Sequence, residues 1–120
     1  MELLHGVDLE QIGRFEELIA KEKFLRRIYT ENEIRYITDH ARPAEKAAGM
    51  WAAKEAVSKA FGRGRYGMDP REIEIGHLPS GQPCVILLGK AAAQYGAYAI
   101  ALSISHTDGL VVASCVAYRE

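Results

Sequence analysis

The stretch PAEKAAGMWAAKEAVSKAFG, from Pro43 to Gly62, forms a long helical pattern near the middle of the chain. Proline in a first turn and glycine just after a last turn are typical of helix ends. The many alanines indicate a slim helix that other elements can approach closely. The same stretch carries Glu55 between apolar neighbours, and a carboxylate in the middle of a core helix requires an explanation.

On the N-terminal side of this helix, LLHGVDL (Leu3 to Leu9) predicts a short strand. A helical stripe follows, formed by Leu9, Ile12, Phe15, Leu18 and Ile19. Thr30 and Glu33 have the spacing of a capping box, which predicts a helix from about Glu31 to Asp39 or His40.

On the C-terminal side, strand patterns dominate. EIEIGH and CVILL predict short strands, GKAAAQYG predicts a short helix, and YAIALSIS and GLVVASCVAY predict a hairpin joined by HTDG. An order of strand, helices and then mostly strands predicts an α+β fold with an antiparallel sheet. We expect the helices to cover one face of the sheet and leave the other for subunit packing.

Composition limits the function classes. The chain has 120 residues, which predicts one domain over residues 1–120, and a net charge of −1, which gives no bulk basic field for nucleic acid. No apolar run approaches membrane-spanning length, and the N-terminus does not resemble a signal peptide, so we expect a cytoplasmic protein. The two cysteines, Cys84 and Cys115, lie in apolar runs and are expected to be reduced and buried in strands.

Two carboxylates are candidates for metal chemistry. Asp8 ends the first predicted strand, and Glu55 lies on the core helix. Semi-buried carboxylates that approach each other repel unless a cation or proton lies between them, and Mg²⁺ typically takes one or two protein carboxylates. The alternatives are an N-cap role for Asp8 and an ion pair between Glu55 and Lys59 at i, i+4.

Basic and glycine-rich residues provide a second candidate site. Lys54, Lys59, Arg63 and Arg65 bracket a glycine-rich turn, with Arg42 and Lys46 upstream. Backbone N–H groups and cations suit a phosphate, although the Gly-Lys-Ser/Thr element of a Walker A loop is absent and a solvated loop is the alternative.

A third candidate follows the next-to-last strand. In SISHTDG, His106 and Thr107 could contact a phosphate or a base, or simply cap a turn. A Ser-His-Asp hydrolase is a poor match, because there is no G-x-S-x-G elbow and Ser105, His106 and Asp108 are too close in sequence.

Together these pieces resemble the holo-acyl-carrier-protein synthases, the short bacterial type of 4′-phosphopantetheinyl transferase. The matching segments cover nearly the whole chain in the family's order: GVDLEQIGRFEEL, FLRRIYTENEIRYI, AGMWAAKEAVSKAFGRG and LSISHTDGLVVASCVA. The resemblance implies transfer of the 4′-phosphopantetheine arm from coenzyme A to a serine of apo acyl carrier protein, which leaves adenosine 3′,5′-bisphosphate. It also implies the phosphopantetheinyl transferase fold and a homotrimer with active sites at subunit interfaces.

The resemblance also implies roles for individual residues. Asp8 and Glu55 match Mg²⁺ ligands, Lys59 matches a lysine at the pyrophosphate, and Arg14 matches an arginine that meets the acidic carrier protein. Glu55 and Lys59 are therefore the catalytic candidates, with Glu55 as a candidate base, directly or through water. The predicted coenzyme A contacts are Arg42, Lys54, Gly62, Arg63, Gly64, His106 and Thr107.

The chain departs from the family pattern at two places. Met50 stands where arginine is frequent, followed by Trp51 rather than the usual Phe, and Arg65 and Tyr66 interrupt a small-residue loop. Two alternative functions remain: a non-catalytic module that binds coenzyme A or a carrier protein, and a small metal-dependent phosphohydrolase that releases free phosphopantetheine.

Overall fold

The computed structural model describes residues 1–64 and 67–120, so Arg65 and Tyr66 of the predicted glycine-rich turn lie outside the described residues. The strands are β1 (Glu2–Gln11), β2 (Ile73–His77), β3 (Pro83–Leu87), β4 (Ala99–Thr107) and β5 (Leu110–Arg119). The helices are α1 (Arg14–Leu18), α2 (Glu22–Ile28), α3 (Glu31–Thr38), α4 (Pro43–Ala60) and α5 (Gly89–Tyr95), with a 3₁₀ turn at Pro70–Glu72. The predicted α+β class is confirmed.

The main sheet has three antiparallel strands in the order β1-β5-β4, and β2 and β3 form a separate two-stranded sheet. The β4–β5 hairpin turns at Asp108 and Gly109, whose φ angles are +48° and +78°. Two residues with positive φ suit the twist of a tight hairpin. The predicted connection HTDG is therefore too long: His106 and Thr107 are the last residues of β4.

Helix α4 packs along the main sheet and is buried over most of its length. Its alanines 47, 48, 52, 53 and 56 have no exposed surface, so neighbouring elements reach the helix backbone. Gly6 of β1 shows how close this approach is: a Cβ atom there would lie 2.0 Å from the Ala56 carbonyl oxygen and 2.6 Å from the Ala60 nitrogen. The small residues on both elements thus set the distance between β1 and α4.

The face of the main sheet that points away from α4 is open in the single chain. Successive side chains of a strand point to opposite faces, and in β1 three of the five outward residues are large and apolar. Leu3, Val7 and Leu9 are 65%, 49% and 61% exposed, and Leu110 and Tyr118 of β5 are also exposed. This confirms the expectation that helices cover one face and leave the other uncovered.

The first helix is much shorter than its apolar stripe predicted. β1 continues to Gln11, which pairs with Leu110, and α1 begins only at Arg14. The helix pattern from Leu9 is wrong because pairing with β5 holds this segment extended. Asp8 lies within the strand opposite Ala113, so its interpretation as a helix N-cap is also wrong. Helix α2 was not predicted.

The capping box of α3 is confirmed and belongs to a larger buried network. The Thr30 hydroxyl accepts from the Glu33 N–H at 3.3 Å, and Glu33 Oε1 accepts from the Thr30 N–H at 2.8 Å. Glu33 Oε1 also accepts from Lys54 Nζ at 2.8 Å, and Oε2 accepts from the Ile75 N–H at 2.7 Å. One buried carboxylate therefore joins α3, α4 and β2.

We expect Lys54→Met to be strongly destabilising. The substitution leaves the Glu33 carboxylate buried without its ammonium partner, and breaking a buried ion pair from one side costs about 3 to 5 kcal/mol. Urea unfolding measures the loss, with Lys23→Met on the exposed face of α2 as the control. Equal unfolding free energies for the two variants would contradict the structural role of the pair.

Both cysteines are free thiols in strands, as the sequence predicted, and the two strands belong to different sheets. Cys115 of β5 is fully buried, whereas Cys84 of β3 is half-buried. Burial raises the pKa of the Cys115 thiol to about 11, so it remains protonated at neutral pH.

No helix in residues 1–64 and 67–120 combines the length and apolar character that a membrane span requires.

Candidate functional site

The contact between β1 and α4 positions the predicted carboxylates. On β1, Gly6 touches the backbone of Ala56 and Ala60, and Glu10 hydrogen-bonds to Trp51. Asp8 lies between these two points on the strand. Glu55 lies between them on the helix, so both carboxylates belong to the same short stretch of the interface. Each is buried, at 3% exposure for Asp8 and 5% for Glu55.

Lys59 extends this group towards the surface. Its Nζ donates to Asp8 Oδ1 at 3.0 Å and to the Val7 carbonyl at 3.1 Å, while the side chain stays 39% exposed. The ammonium thus stands at the border between the buried carboxylate and solvent, where it can meet an incoming phosphate. The structure places Lys59 against Asp8, and Glu55 lies in the same stretch of the β1–α4 interface.

A third buried carboxylate lies next to this group. Glu10 follows Asp8 on the same face of β1, and it accepts from the Trp51 indole N–H at 3.1 Å and from Arg14 Nη1 at 3.3 Å. Arg14, for which the sequence predicts a carrier-protein contact, has a half-exposed side chain. Sequence reasoning missed Glu10, although the alternation of Gly6, Asp8 and Glu10 with Val7 and Leu9 could have shown that a polar face of the strand points inward.

The donor set fits a hard cation that takes only part of its ligands from the protein. Carboxylate oxygens are the ligands that Mg²⁺ prefers, and it typically keeps several waters or substrate phosphates. In the described part of the chain, no three His, Cys, Asp or Glu side chains group as a metal site. Asp8 and Glu55 could therefore hold Mg²⁺ only together with water and phosphate oxygens.

A second group of predicted residues lies at the start of α4. Glu45 connects them: its Oε1 lies 3.2 Å from His106 Nε2, and its Oε2 lies 3.6 Å from Arg42 Nη1. A cavity of about 240 Å³ opens beside Glu45 and His106, with Lys46 and Met50 also in its wall. Sequence reasoning missed Glu45, which carries no motif of its own.

The wall of this cavity includes an aromatic stack. Tyr36 stacks on His77 with ring centroids 4.3 Å apart and packs on His40 at 4.1 Å. Partial burial lowers the pKa of His77, and the neighbouring Lys46 charge lowers it further. The imidazole is consequently neutral at physiological pH.

The glycine-rich turn closes the other end of α4. Gly62 and Gly64 have φ angles of +72° and +64°, which glycine adopts without strain. The Ser58 hydroxyl donates to the Gly64 carbonyl at 2.6 Å, and Arg63 Nη1 donates to the Tyr95 hydroxyl at 3.2 Å. Arg63 is exposed, so it can approach an anion from this end.

The group around Glu45 at the start of α4 and the glycine-rich turn after its end are far apart in one chain. Helix α4 has 18 residues, which at 1.5 Å per residue separates Arg42 from the Gly62 turn by about 27 Å. Thr107 does not share the His106 cavity, because neighbouring residues of β4 point to opposite sheet faces. A single chain therefore does not assemble all the predicted coenzyme A contacts.

Lys54 requires a correction. Its Nζ donates to Glu33 and to the carbonyls of Pro70 and Ile73, both at 2.7 Å, and the residue is 1% exposed. These contacts use all three N–H groups of the ammonium. Burial lowers the pKa of Lys54, although the Glu33 carboxylate opposes this effect. We withdraw Lys54 from the predicted coenzyme A contacts, because its ammonium is buried and has no N–H group left for a ligand.

Comparisons with known proteins found relatives of similar sequence and similar fold. Curated holo-[acyl-carrier-protein] synthases are similar in sequence: that of Clostridium kluyveri is 48% identical over 84% of this chain and 78% of its own, and that of Caldanaerobacter subterraneus is 39% identical over 98% and 95%. A solved complex of a Chronobacterium ammoniagenes ACPS with CoA superposes with a TM-score of 0.85 at 30% identity, covering 100% of this chain and 99% of that one. The holo-(acyl-carrier-protein) synthase of Bacillus anthracis, in complex with CoA (3′,5′-ADP), gives a TM-score of 0.80 at 33% identity over 95% and 94% of the two chains.

The match to a family model is the most direct of these findings. It spans residues 5–111, which include most of β1, all of α4, the Glu45–His106 pair and all of β4. With the carboxylates and Lys59 placed as described, the chain belongs to the 4′-phosphopantetheinyl transferase superfamily.

Proposed function

We propose that this protein transfers the 4′-phosphopantetheine arm of coenzyme A to a serine of apo acyl carrier protein, giving holo carrier protein and adenosine 3′,5′-bisphosphate. The observation that carries the proposal is the β1–α4 interface, where Asp8 and Glu55 are buried and Lys59 reaches from Asp8 to solvent. The curated relatives named holo-[acyl-carrier-protein] synthase and the ligand complexes of similar structures support it.

Phosphoryl transfer requires in-line positioning and charge neutralisation more than covalent chemistry from the protein. Lys59 offsets charge on the pyrophosphate, and its hydrogen bond to Asp8 fixes the position of its ammonium. The attacking serine must lose its proton, and we assign Glu55 to accept it, directly or through a water molecule. Burial of Glu55 on a helix held tightly against β1 keeps the carboxylate in one orientation.

We propose Mg²⁺ as the cofactor, with Asp8 and Glu55 as its protein ligands. When bound, Mg²⁺ supplies positive charge to the pyrophosphate oxygens. The burial of Asp8 and Glu55 at one interface supports the assignment, because carboxylate oxygens are the ligands that Mg²⁺ prefers.

We also propose that the active protein is a homotrimer in the cytoplasm, in which neighbouring subunits complete each other's sites. The apolar outer face of β1 and β5 provides a surface for subunit packing. The two ends of α4 lie about 27 Å apart, so one chain does not bring its predicted coenzyme A contacts together. In a trimer, the start of α4 in one subunit and the end of α4 in its neighbour can together form a complete coenzyme A site.

The decisive experiment is intact mass spectrometry of an apo acyl carrier protein after incubation with this protein, coenzyme A and Mg²⁺, with an EDTA control. We expect the carrier protein to gain one phosphopantetheine arm, and EDTA to abolish the gain. A control with the serine of the carrier protein replaced by alanine should show no gain.

The same experiment separates the alternatives. No gain in mass across several carrier proteins, in a sample that still binds coenzyme A, would indicate a non-catalytic binding module. Release of free phosphopantetheine without any carrier protein would indicate a phosphohydrolase.

We expect Arg14→Glu to weaken carrier-protein use and leave coenzyme A binding unchanged. The exposed guanidinium of Arg14 would meet an acidic partner, and reversing its charge should raise the carrier KM by about tenfold or more. Steady-state kinetics with each substrate varied in turn measures the effect, with Lys90→Glu on the exposed surface of α5 as the control. Equal loss for both substrates would remove Arg14 from the docking role.

A further inference from the structure

The inner face of β1 carries a buried carboxylate that has no role in the proposed chemistry. The Glu10 side chain is 3% exposed and lies beside a cluster of aromatic rings formed by Phe15, Phe24, Tyr29 and Trp51, with centroid distances near 6 Å. An ionised carboxylate in such surroundings is costly unless it is paired and hydrogen-bonded. Glu10 therefore requires the groups that contact it.

Each carboxylate oxygen of Glu10 has its own contact. Oε2 accepts from the Trp51 indole N–H at 3.1 Å, and Oε1 accepts from Arg14 Nη1 at 3.3 Å. The indole N–H orients the carboxylate from the protein interior, and the carboxylate in turn orients the guanidinium. A phenylalanine at position 51 could not make the first of these bonds, since only the indole carries an N–H donor.

Helix α1 cannot hold Arg14 by itself. It has only five residues, Arg14 is the first of them, and the N-cap residue Gly13 has no side chain to close the helix end. The contacts that orient the guanidinium are the ion pair with Glu10 and its position 5.4 Å from the centre of the Phe15 ring. The Arg14 side chain nevertheless remains 49% exposed, so it can reach a partner while it is held.

Trp51 connects Glu10 to a neighbouring groove. Its ring forms part of a groove of about 690 Å³ whose wall also includes Phe24, Arg26 and Arg27. Glu10 thus touches both the half-exposed arginine and the indole in the floor of the groove.

We propose that Glu10 is a positioning residue for carrier-protein docking: it orients Arg14, and the Trp51 indole N–H orients Glu10. The inference rests on the proposed function, because Arg14 acts on an acidic carrier protein. It differs from a purely electrostatic role, since Glu10 is negative and its charge by itself opposes an acidic partner.

Removing the negative charge of Glu10 tests the proposal, because a positioning role predicts weaker carrier-protein binding and charge repulsion alone predicts stronger binding. Glu10→Gln keeps a carbonyl oxygen that can accept from the indole but removes the ionic hold on Arg14. Releasing one long side chain from a fixed orientation should raise the carrier KM about threefold to tenfold, with kcat and the coenzyme A KM unchanged. Glu17→Gln, an equal charge change on the exposed face of α1, should leave the carrier KM at or below the wild-type value.

A double-mutant cycle shows whether Glu10 acts through Arg14. In an Arg14→Gln background, Glu10→Gln should cause no further rise in the carrier KM, because there is no guanidinium left to orient. Trp51→Phe should give a smaller rise, and this rise should also vanish in the Arg14→Gln background. If Glu10→Gln does not fold, as judged by circular dichroism, the Trp51→Phe pair decides the question alone.

The binding step can also be measured without transfer. Trp51 is the only tryptophan, so its fluorescence reports both the indole environment and carrier-protein binding in the wild-type protein and in Glu10→Gln. A carrier affinity equal to wild type in Glu10→Gln, or equal effects with and without Arg14, would overturn the proposal. A wild-type protein that transfers no arm would instead contradict the proposed function, so the two failures are distinguishable.

Discussion

Glu55→Gln is expected to fold normally and to lose arm transfer by a factor of about 10² to 10³, the loss typical of removing one pre-organised electrostatic group. The amide has nearly the same shape as the carboxylate, so packing of α4 against β1 should survive. It cannot carry the negative charge that a Mg²⁺ ligand or a proton acceptor requires. Intact-mass kinetics of the carrier protein measures the loss.

A second measurement separates the metal role from the proton role. A cation that binds only the folded state raises its melting temperature, so Mg²⁺ should stabilise the wild-type protein more than Glu55→Gln. The matched control is Glu17→Gln, an exposed change on α1 that should keep both activity and the response to Mg²⁺. A folded, fully active Glu55→Gln would reject the metal assignment, and an unfolded one would favour a structural role.

Gly6→Ala is expected to reduce both stability and transfer, although it adds only a methyl group. The new Cβ would lie 2.0 Å from the Ala56 carbonyl oxygen and 2.6 Å from the Ala60 nitrogen. These are backbone atoms of a helix and cannot rotate away, so β1 must move off α4. Overpacking of this kind costs about 1 to 3 kcal/mol or more, and the same movement separates Asp8 from Glu55 and Lys59.

Gly13→Ala is the matched control for this prediction. A Cβ at Gly13 would meet no atom within 4 Å, and its φ of −57° suits alanine. Urea unfolding and the intact-mass assay should therefore place Gly13→Ala near the wild-type protein and Gly6→Ala well below it. Wild-type stability for Gly6→Ala would show that the β1–α4 spacing is looser than the structure indicates.

Much of the fold was predictable because its signals are local. The capping box of Thr30 and Glu33, the proline at the start of α4 and the glycine after its end are set by residues close in sequence. The alternation of side chains that predicts the strands of the C-terminal half is also a local signal. The length of β1 was not predictable, because pairing with β5, about a hundred residues away, overrides the helical stripe that begins at Leu9.

The residues of the candidate site were also predictable only in part. The sequence identified Asp8, Glu55 and Lys59, and the structure places them at one interface. Lys54 was misassigned because adjacent residues on a helix point in different directions, and only tertiary packing shows that this ammonium lies against Glu33. Glu10 carries no motif, so its bond to Trp51 could be found only from coordinates.

What the sequence by itself determined is the set of elements and the chemical identity of the candidate groups, since caps, turns and residue types act over a few residues. What only the tertiary structure decided is which charged groups are buried together. The contacts of Glu33 with Lys54, and of Glu10 with Arg14 and Trp51, join separate elements, and of these residues only Glu10 and Arg14 are close in sequence. The physical reason is that a buried charge is tolerated only beside its partner, and partner choice depends on how elements pack.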